Sequence, residues 1–380
     1  MKFAFVIDNP RIIGGGDYAL YKYAEALSRM GHVVTVHGQF FNEFMDGIRG
    51  GPDFSIRLRG GLFPGLRGVG RVNRLWDRVH TRIRVLPTLT SPRSRPDWVI
   101  GYHRDSAVKA VRLGRAANVP VANVVFESPE WISRTLGERY GRIDQDALKR
   151  KWEIVRDAYR ASDVLLPLTG AVREEVAAWT GCAVAPPIYC GVDDPMFTPD
   201  DSTGNHLLYV GRLNVTKNVH EFIDAASLVH GCPRLVIVGS GHEESDLRRR
   251  AIERGVDCEF VGHVTDAEKW NLIRHCRFMV FPTSFEGFGI PPAEALMCGK
   301  PCICSDIPIL REVYQDTVEW FPEHDVDALA GKIRWLLDHP DLGVERGRSG
   351  RAFVKQHYSW EKSARRIETA FADAGRALNP

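Results

Sequence analysis

Short runs of apolar, largely β-branched residues alternate with helix-like segments along this 380-residue chain, and the whole series occurs twice. In the first series the apolar runs cover 2–7, 32–37, 97–103, 119–126 and 163–168. In the second series they cover 206–211, 234–239, 258–262, 277–282 and 301–305. Continuous apolar strands separated by helices are typical of a parallel sheet covered on both faces. Each series therefore predicts one doubly wound α/β domain.

The segment 186–205 is rich in Pro, Gly and Asp and separates the two series, so we interpret it as the linker. We expect an N-terminal domain over 1–190 and a C-terminal domain over 191–360. A chain of this length suits two hydrophobic cores better than one. Such sheets bind ligands at the carboxyl ends of their strands, which predicts two Rossmann-like domains facing a central cleft.

Composition excludes several classes of protein. With 44% hydrophobic residues and a net charge of +2, the chain is neither disordered nor a polyanion binder overall. The apolar run 3–7 is too short for a signal peptide, and no run approaches the ~18 apolar residues of a membrane span, so we predict a cytoplasmic protein. The eight cysteines form no C-x-x-C pair. We expect Cys298, Cys302 and Cys304 to be buried free thiols, with no disulfide or metal site.

A glycine-rich stretch, Gly14, Gly15 and Gly16, lies between the first apolar run and a helical pattern beginning near Asp17. Backbone amides without side chains can approach an anion closely at such a helix N-terminus. The alternative is a tight turn with nothing bound. The glycine spacing differs from the dinucleotide fingerprint, and the second strand is not followed by an acidic residue that would hold a ribose, which disfavours a dehydrogenase.

A second turn follows the apolar run 277–282 and contains Glu286. The amides of Gly287–Ile290 should point out of the N-terminus of a helix opened by Pro291 and Pro292, because proline suits that first turn. We place Glu294 in the first turn of the same helix, where it can accept hydrogen bonds from sugar hydroxyls, as Glu286 can. The sequence predicts an anion site between two carboxylates.

Cations for this site are present after the run 206–211, where Arg212 follows Gly211 and Lys217 comes soon after. An arginine fork and a lysine charge are the usual means of neutralising a diphosphate without metal. Taken singly, these residues are ordinary solvated charges, and a first-turn glutamate is often only a favourable partner of the helix dipole. Together they predict a diphosphate site.

The combination GRLNVTK (211–217), EGFGIPPAEA (286–295) and CGKP (298–301) resembles the family 4 retaining glycosyltransferases of GT-B fold. Similar stretches cover nearly the whole chain, including IYCGVDDPMFTP in the linker and the closing YSWEKSARRIETAF. The resemblance implies that the C-terminal helix, 361–380, crosses back to the first domain. Two residues depart from the family pattern, because Asn218 stands where Gly is frequent and Thr169 where Ser is frequent.

The resemblance also implies residue roles. Glu286 and Glu294 match the E-x7-E signature, the first contacting the donor sugar and the second the nucleotide ribose. Arg212 and Lys217 match the residues that grip the donor diphosphate. His103 matches a histidine near the anomeric carbon, although it can equally be a structural, hydrogen-bonded histidine. The amides expected to face sugar and phosphate are those of Phe288, Gly289 and Ile290.

The reaction implied is transfer of a sugar from a UDP- or GDP-linked donor to a saccharide or lipid-linked acceptor, in assembly of cell-surface polysaccharide or glycolipid. No Asp-x-Asp metal motif is needed, so we expect no metal and no cofactor beyond the nucleotide sugar as co-substrate. Retention of configuration comes from the resemblance alone, and the residues themselves do not exclude inversion. Two alternatives remain, a GT-B-like sugar-nucleotide epimerase and a catalytically silent nucleotide-sugar binding protein.

Charge is strongly segregated in the first domain. Residues 47–96 contain eleven arginines and two aspartates, a net charge of +9, which leaves −7 on the rest of the chain. Apolar residues within 69–86 recur at spacings of three and four, which predicts an amphipathic helix with these arginines elsewhere on it: Arg71, Arg74, Arg78 and Arg82. That helix is either solvated surface or a contact for an anionic membrane or a lipid-diphosphate acceptor. A nucleic-acid role lacks interleaved aromatic residues. Glu127, Glu130 and Trp131 are acceptor-site candidates by position.

Overall fold

The structure is a computed structural model, and it describes residues 1–7, 15–38, 50–51, 54–59, 85–127, 145–195 and 204–378. The described residues form two compact units. The first unit consists of described residues within Met1–Ser128, Ile143–Gly191 and Trp360–Pro380, and the second includes Val192–Ser359. The division at Gly191 falls inside the segment predicted to be the linker. The predicted amphipathic helix over 69–86 lies almost entirely outside the described residues.

Helices and strands alternate in both units. Up to residue 195 the elements are β1 (Lys2–Val6), α1 (Gly15–Arg29), β2 (Val33–His37), β3 (Gly50–Gly51), β4 (Phe54–Arg59), α2 (Leu86–Thr90), β5 (Trp98–Tyr102), α3 (Arg104–Ala117), β6 (Val121–Val125), α4 (Gln145–Arg160), β7 (Val164–Pro167) and α5 (Gly170–Thr180). From residue 204 they are β8 (His206–Val210), a 3-10 helix (Val215–Lys217), α6 (Val219–Ser227), β9 (Leu235–Val238), α7 (Glu244–Arg254), β10 (Cys258–Gly262), α8 (Asp266–Arg274), β11 (Cys276–Phe281), α9 (Ile290–Met297), β12 (Cys302–Ser305), α10 (Pro308–Tyr314), β13 (Glu319–Phe321), α11 (Val326–Asp338), α12 (Pro340–His357) and α13 (Trp360–Leu378).

The first unit contains a seven-stranded sheet in the order β3-β4-β2-β1-β5-β6-β7. Its strands are parallel apart from β3, which pairs antiparallel with β4. Strands β5, β6 and β7 are buried along their whole length, which explains their continuous apolar sequences. The order reverses between β1 and β5, and a doubly wound sheet binds ligands at that switch point.

The second unit contains a six-stranded, fully parallel sheet in the order β10-β9-β8-β11-β12-β13. Its switch point lies between β8 and β11, whose register pairs Leu208 with Met279. All ten predicted strands are present, so the two doubly wound sheets are confirmed. Strands β3, β4 and β13 were not predicted.

The C-terminal helix α13 packs on the first unit, as predicted. Its Phe371 stacks on Trp98 with ring centroids 4.6 Å apart and lies 5.3 Å from Phe3. At its start, Trp360 meets Tyr23 edge to face at 5.3 Å. These aromatic contacts bury the apolar face of the helix, so its amphipathic sequence is explained by this partner surface.

The cysteines predicted to be buried free thiols, Cys298, Cys302 and Cys304, are buried and unpaired with any other cysteine. Burial also raises the pKa of the neighbouring Cys276 thiol to about 12. A thiol with so high a pKa stays protonated at neutral pH and behaves as a small apolar side chain. Among the described residues, no helix has both the length and the apolar character needed to cross a membrane.

Candidate functional site

Lys217 and Glu286 meet at the switch point of the second unit, one following β8 and the other following β11. The Lys217 Nζ donates to the Glu286 carboxylate, to the Phe285 carbonyl oxygen at 2.6 Å and to Thr283 Oγ1 at 3.4 Å. Only 9% of the Lys217 side chain and 14% of the Glu286 side chain are exposed. The structure therefore brings together two charged residues that are 69 positions apart in sequence.

The backbone around Lys217 is fixed by its neighbour Asn218. Asn218 has a left-handed conformation with φ of 50°, which asparagine tolerates better than most residues and glycine adopts freely. Its Nδ2 donates to Ser284 Oγ at 2.6 Å, while the Ser284 amide donates to the Thr216 carbonyl at 2.9 Å. These bonds join the loop after β8 to the loop after β11. Asparagine at position 218, where the family frequently has glycine, is therefore compatible with the site.

A further hydrogen-bonded layer lies beside Ser284, in which buried Glu221 contacts His324, a residue whose side chain is 48% exposed. His324 Nδ1 is 2.7 Å from Glu221 Oε1, and His324 Nε2 is 3.5 Å from Ser284 Oγ. Glu221 is 4% exposed on α6, so its carboxylate is held within the protein. The sequence offered no signal for this layer, because Glu221 and His324 are 103 positions apart.

Helix α9 begins at Ile290, one residue before the proline pair. Gly289, the residue before it, has φ of 87°, a left-handed conformation that favours glycine, and a Cβ there would lie 2.7 Å from Leu310 Cδ2. The hydroxyl of Tyr314 donates to the Gly289 carbonyl and accepts from the Ala293 amide at 3.1 Å. The sequence did not indicate this tyrosine, which fixes the start of the helix.

The amides at this helix start are available to a ligand. Pro291 and Pro292 carry no N–H, and among the described residues none accepts a hydrogen bond from the amides of Phe288, Gly289 and Ile290. The Phe288 side chain itself is buried, edge to face with Tyr358 at 5.2 Å. The helix N-terminus thus presents backbone donors with a favourable dipole beside Glu286 in sequence.

The prediction that Glu294 lies in the first turn of this helix is wrong. It is the fifth residue of α9, because the helix starts at Ile290, and its carboxyl is therefore in the second turn and buried. Lys269 on α8 donates to Glu294 Oε1 at 2.6 Å. Burial raises the pKa of the Glu294 carboxyl, and the charge and hydrogen bond of Lys269 oppose that rise.

Arg212 occupies the same loop as Lys217 but is exposed. Its carbonyl accepts a hydrogen bond from the Tyr209 hydroxyl at 3.0 Å, which fixes the backbone directly after Gly211. No described residue accepts a hydrogen bond from its guanidinium group. The site therefore combines one lysine held in place by three acceptors with one arginine extending into solvent.

The switch point of the first unit holds Gly16 and His103. Gly15 and Gly16 belong to the first turn of α1, and Gly14 lies outside the described residues. A Cβ on Gly16 would lie 2.7 Å from His103 Cε1, and the Gly16 carbonyl accepts from the Tyr102 hydroxyl at 2.8 Å. His103 precedes α3 with φ of 74° and stacks on Phe126 at 4.6 Å. Its Nε2 is 3.9 Å from Asp17 Oδ1, a neighbour that the sequence did not indicate.

The predicted acceptor residues are only partly described. Glu127 Oε1 accepts a hydrogen bond from Arg104 Nη1 at 2.7 Å, so its charge is paired within the first unit. Arg104 also lies over the Trp152 ring at 5.3 Å. The other predicted acceptor or membrane-contact residues lie outside the described residues: Arg71, Arg74, Arg78, Arg82, Glu130 and Trp131.

Residues 196–353 match the family model described as glycosyl transferases group 1, a segment that contains Arg212, Lys217, Glu286 and Glu294. Over this segment, which is less than half of its length, the chain is similar to the group 1 glycosyltransferases. The chain is 28% identical over 320 residues to a glycogen synthase of Mycobacterium tuberculosis, covering 78% of this chain and 74% of the relative. It is 30% identical to O-antigen chain mannosyltransferase B of Escherichia coli over 44% of this chain and 45% of the relative.

Solved structures confirm the predicted GT-B fold of the chain. The HepE protein of Anabaena, solved in complex with UDP and glucose, superimposes with a TM-score of 0.77 over 98% of this chain and 100% of that one, at 17% identity. Sucrose-phosphate synthase from Thermosynechococcus elongatus superimposes with a TM-score of 0.82 at 18% identity, covering 99% of both chains. At such low identity the likeness shows the fold, and substrates need separate argument.

Proposed function

We propose that this protein is a glycosyltransferase that transfers a sugar, with retention of configuration, from a UDP- or GDP-linked donor to a saccharide or lipid-linked acceptor. The observation that supports it best is the Lys217 ammonium group, fixed by Glu286, Phe285 and Thr283 at the switch point of the second sheet. A buried lysine with a fixed position is suited to stabilising charge that develops on a leaving group. Assembly of cell-surface polysaccharide or glycolipid is the role that we assign to the reaction.

The donor diphosphate is assigned to Lys217, Arg212 and the amides at the start of α9. Without a donor, the Lys217 charge is neutralised by Glu286. An arriving diphosphate supplies a second anion, so the lysine can bind it while the Glu286 carboxylate becomes available to sugar hydroxyls. Arg212 adds a fork that matches phosphate oxygens. In this proposal Glu294 accepts from the ribose hydroxyls.

Cleavage of the sugar–phosphate bond places negative charge on the departing diphosphate. Interactions that strengthen as this charge develops accelerate the reaction, whereas interactions equal in both states only improve binding. Lys217 and the α9 amides are fixed before substrate arrives, so they need no rearrangement in the transition state. With these cations and dipoles, we propose that the reaction proceeds without metal. The departing phosphate accepts the proton of the acceptor hydroxyl, which attacks from the same face.

Residues of the first unit are assigned to the sugar and the acceptor. His103 is fixed by its stacking on Phe126 and by the adjacent Gly16, and we assign it to the neighbourhood of the anomeric carbon. Glu127 is assigned to the acceptor. The arginine-rich segment 47–96 is proposed to contact an anionic lipid or lipid-diphosphate acceptor, because of its net charge of +9.

The donor assignment is tested by thermal unfolding of the full chain with UDP, GDP and ADP. A ligand at 100 times its dissociation constant stabilises the native state by about 2.7 kcal/mol. We expect UDP or GDP to raise the unfolding temperature, and Lys217→Met to abolish that increase. Absence of any increase with UDP and GDP would refute the nucleotide assignment.

Turnover separates the transferase from its two alternatives. The nucleotide that stabilises the protein is supplied as its glucose, galactose, mannose and N-acetylglucosamine derivatives, together with saccharide or polyprenyl-diphosphate acceptors. Release of nucleoside diphosphate that depends on acceptor supports transfer. Interconversion of donor sugars without acceptor indicates an epimerase, and binding without either reaction indicates a silent binding protein.

A further inference from the structure

Lys269 and Glu294 form an ion pair between α8 and α9 in the second unit. The Lys269 Nζ donates to Glu294 Oε1 at 2.6 Å and lies 3.3 Å from Asp266 Oδ1. The Glu294 side chain is 5% exposed and that of Lys269 is 16% exposed, whereas Asp266 is 60% exposed. Among the described residues, Lys269 is the hydrogen-bond partner of the Glu294 carboxylate, and none donates to Glu294 Oε2.

The protonation state of Glu294 depends on this lysine. Burial raises the pKa of the Glu294 carboxyl, the Lys269 charge lowers it, and Asp266 raises it slightly. Burial raises the pKa of the Cys298 thiol, directly after α9, and the charges of Cys276 and Glu294 raise it further. From α12, Arg351 donates to the Met297 carbonyl at 3.1 Å. An ionised carboxylate only accepts hydrogen bonds, whereas a protonated one also donates. The Lys269 contact therefore favours the accepting form of Glu294 against the effect of burial.

We propose that Lys269 is a positioning residue for donor binding, holding Glu294 charged and oriented so that its second oxygen accepts a hydrogen bond from the nucleotide ribose. The inference rests on the proposed function, which assigns Glu294 to the ribose. The matched family segment contains both residues, but the E-x7-E signature itself includes Glu294 and not Lys269.

A purely structural ion pair is the competing explanation. A buried ion pair is often no more stabilising than apolar residues of similar volume, because both charges lose their hydration. The second unit contains another lysine on a buried carboxylate: Lys332 Nζ donates to Glu319 Oε2 at 2.8 Å, the Glu319 side chain is 8% exposed, and Arg346 Nε also lies 3.2 Å from Glu319 Oε1. No function is assigned to that pair, so it provides a matched control.

The test compares ribonucleotides with analogues that lack the ribose hydroxyls. Binding of UDP and GDP is measured by calorimetry, and the nucleotide that binds is then compared with its 2′,3′-dideoxy analogue. We expect Lys269→Met to weaken ribonucleotide binding by about tenfold or more, since a hydrogen bond to a charged group is lost. Binding of the dideoxy analogue should be the same in the native protein and in the variant. Lys332→Met should leave both affinities unchanged.

Glu294→Gln supplies a second background, in which removal of the lysine leaves no buried carboxylate unpaired and only the exposed Asp266 loses its contact. Adding Lys269→Met to Glu294→Gln should cause no further loss of ribonucleotide affinity, because the lysine acts through Glu294. Equal weakening of ribonucleotide and dideoxy analogue by Lys269→Met, or a further loss in the double variant, would overturn the inference. A native protein that binds neither UDP nor GDP would instead refute the proposed function itself, and the inference with it.

Discussion

Replacing Lys217 with methionine tests the site most directly. Methionine has a similar apolar stem but no ammonium group, so the change removes the donor from three acceptors at once. Those acceptors are the Glu286 carboxylate, the Phe285 carbonyl at 2.6 Å and Thr283 Oγ1 at 3.4 Å. The Phe285 carbonyl also accepts from Thr283 Oγ1 at 3.0 Å, and Thr283 Oγ1 also accepts from the Phe285 amide at 3.2 Å, so the Glu286 carboxylate is the group most affected.

The expected loss of stability follows from the burial of Glu286. Removing one partner of a fully buried ion pair costs about 3–5 kcal/mol. The Glu286 side chain keeps 14% of its exposure, so we expect the lower end, about 3 kcal/mol in the free energy of unfolding. Glu286→Gln added to Lys217→Met removes the unpaired charge and should recover about half of that loss, because residues in direct contact couple by about 0.5–3 kcal/mol.

Activity should respond differently from stability. If Lys217 stabilises the departing diphosphate, its removal costs about 2.7–4 kcal/mol of transition-state stabilisation, a decrease in kcat of about 100- to 1,000-fold. The double variant should be as inactive as Lys217→Met although it is more stable. The assays are denaturant unfolding and steady-state sugar transfer, with Lys332→Met as the control. Native kcat/KM in Lys217→Met, or activity that returns together with stability in the double variant, would refute the reasoning.

Three further predictions concern other parts of the chain. Burial alone would raise the pKa of Asp224, but hydrogen bonds from Arg250 and Arg254 lower it below the ordinary 3.8. The ionised carboxylate therefore stabilises the folded protein above pH 3.8, and this contribution is lost as the pH falls through the pKa of Asp224 in the folded protein. The difference in unfolding free energy between native protein and Asp224→Asn should therefore shrink in acid titrations below pH 3.8; a constant difference contradicts this. Phe371→Ala should cost about 3–5 kcal/mol in denaturant unfolding, because this 1% exposed ring is in the core, and a change under about 1 kcal/mol argues against that packing. Co-sedimentation with anionic vesicles should weaken as salt is added, because exposed charges are screened. It should also weaken when four arginines, each worth about 1 kcal/mol near the surface, are changed to Gln: Arg71, Arg74, Arg78 and Arg82. Equal pelleting of the native protein and this variant would exclude membrane contact.

The sequence by itself determined ten of the thirteen described strands and which residues stand at their carboxyl ends. Continuous apolar runs separated by helical periodicity are local signals, because a strand buried on both faces needs apolar residues at every position. Glu286 was correctly placed after β11 for this reason, as were Arg212 after β8 and His103 after β5. The short strand β13 escaped prediction because three residues carry too little periodicity.

Only the tertiary structure decided which of these residues meet. The pairing of Lys217 with Glu286 depends on the strand order, which places β8 beside β11 although many residues separate them in sequence. The turn of α9 that holds Glu294 depends on the left-handed Gly289 and on Tyr314, which comes 25 positions later. The contact of Lys269 with Glu294 depends on how α8 packs beside α9. Periodicity along a chain specifies which face of an element is buried, whereas ion pairs and shifted pKa values arise from groups that approach only after the sheets are assembled.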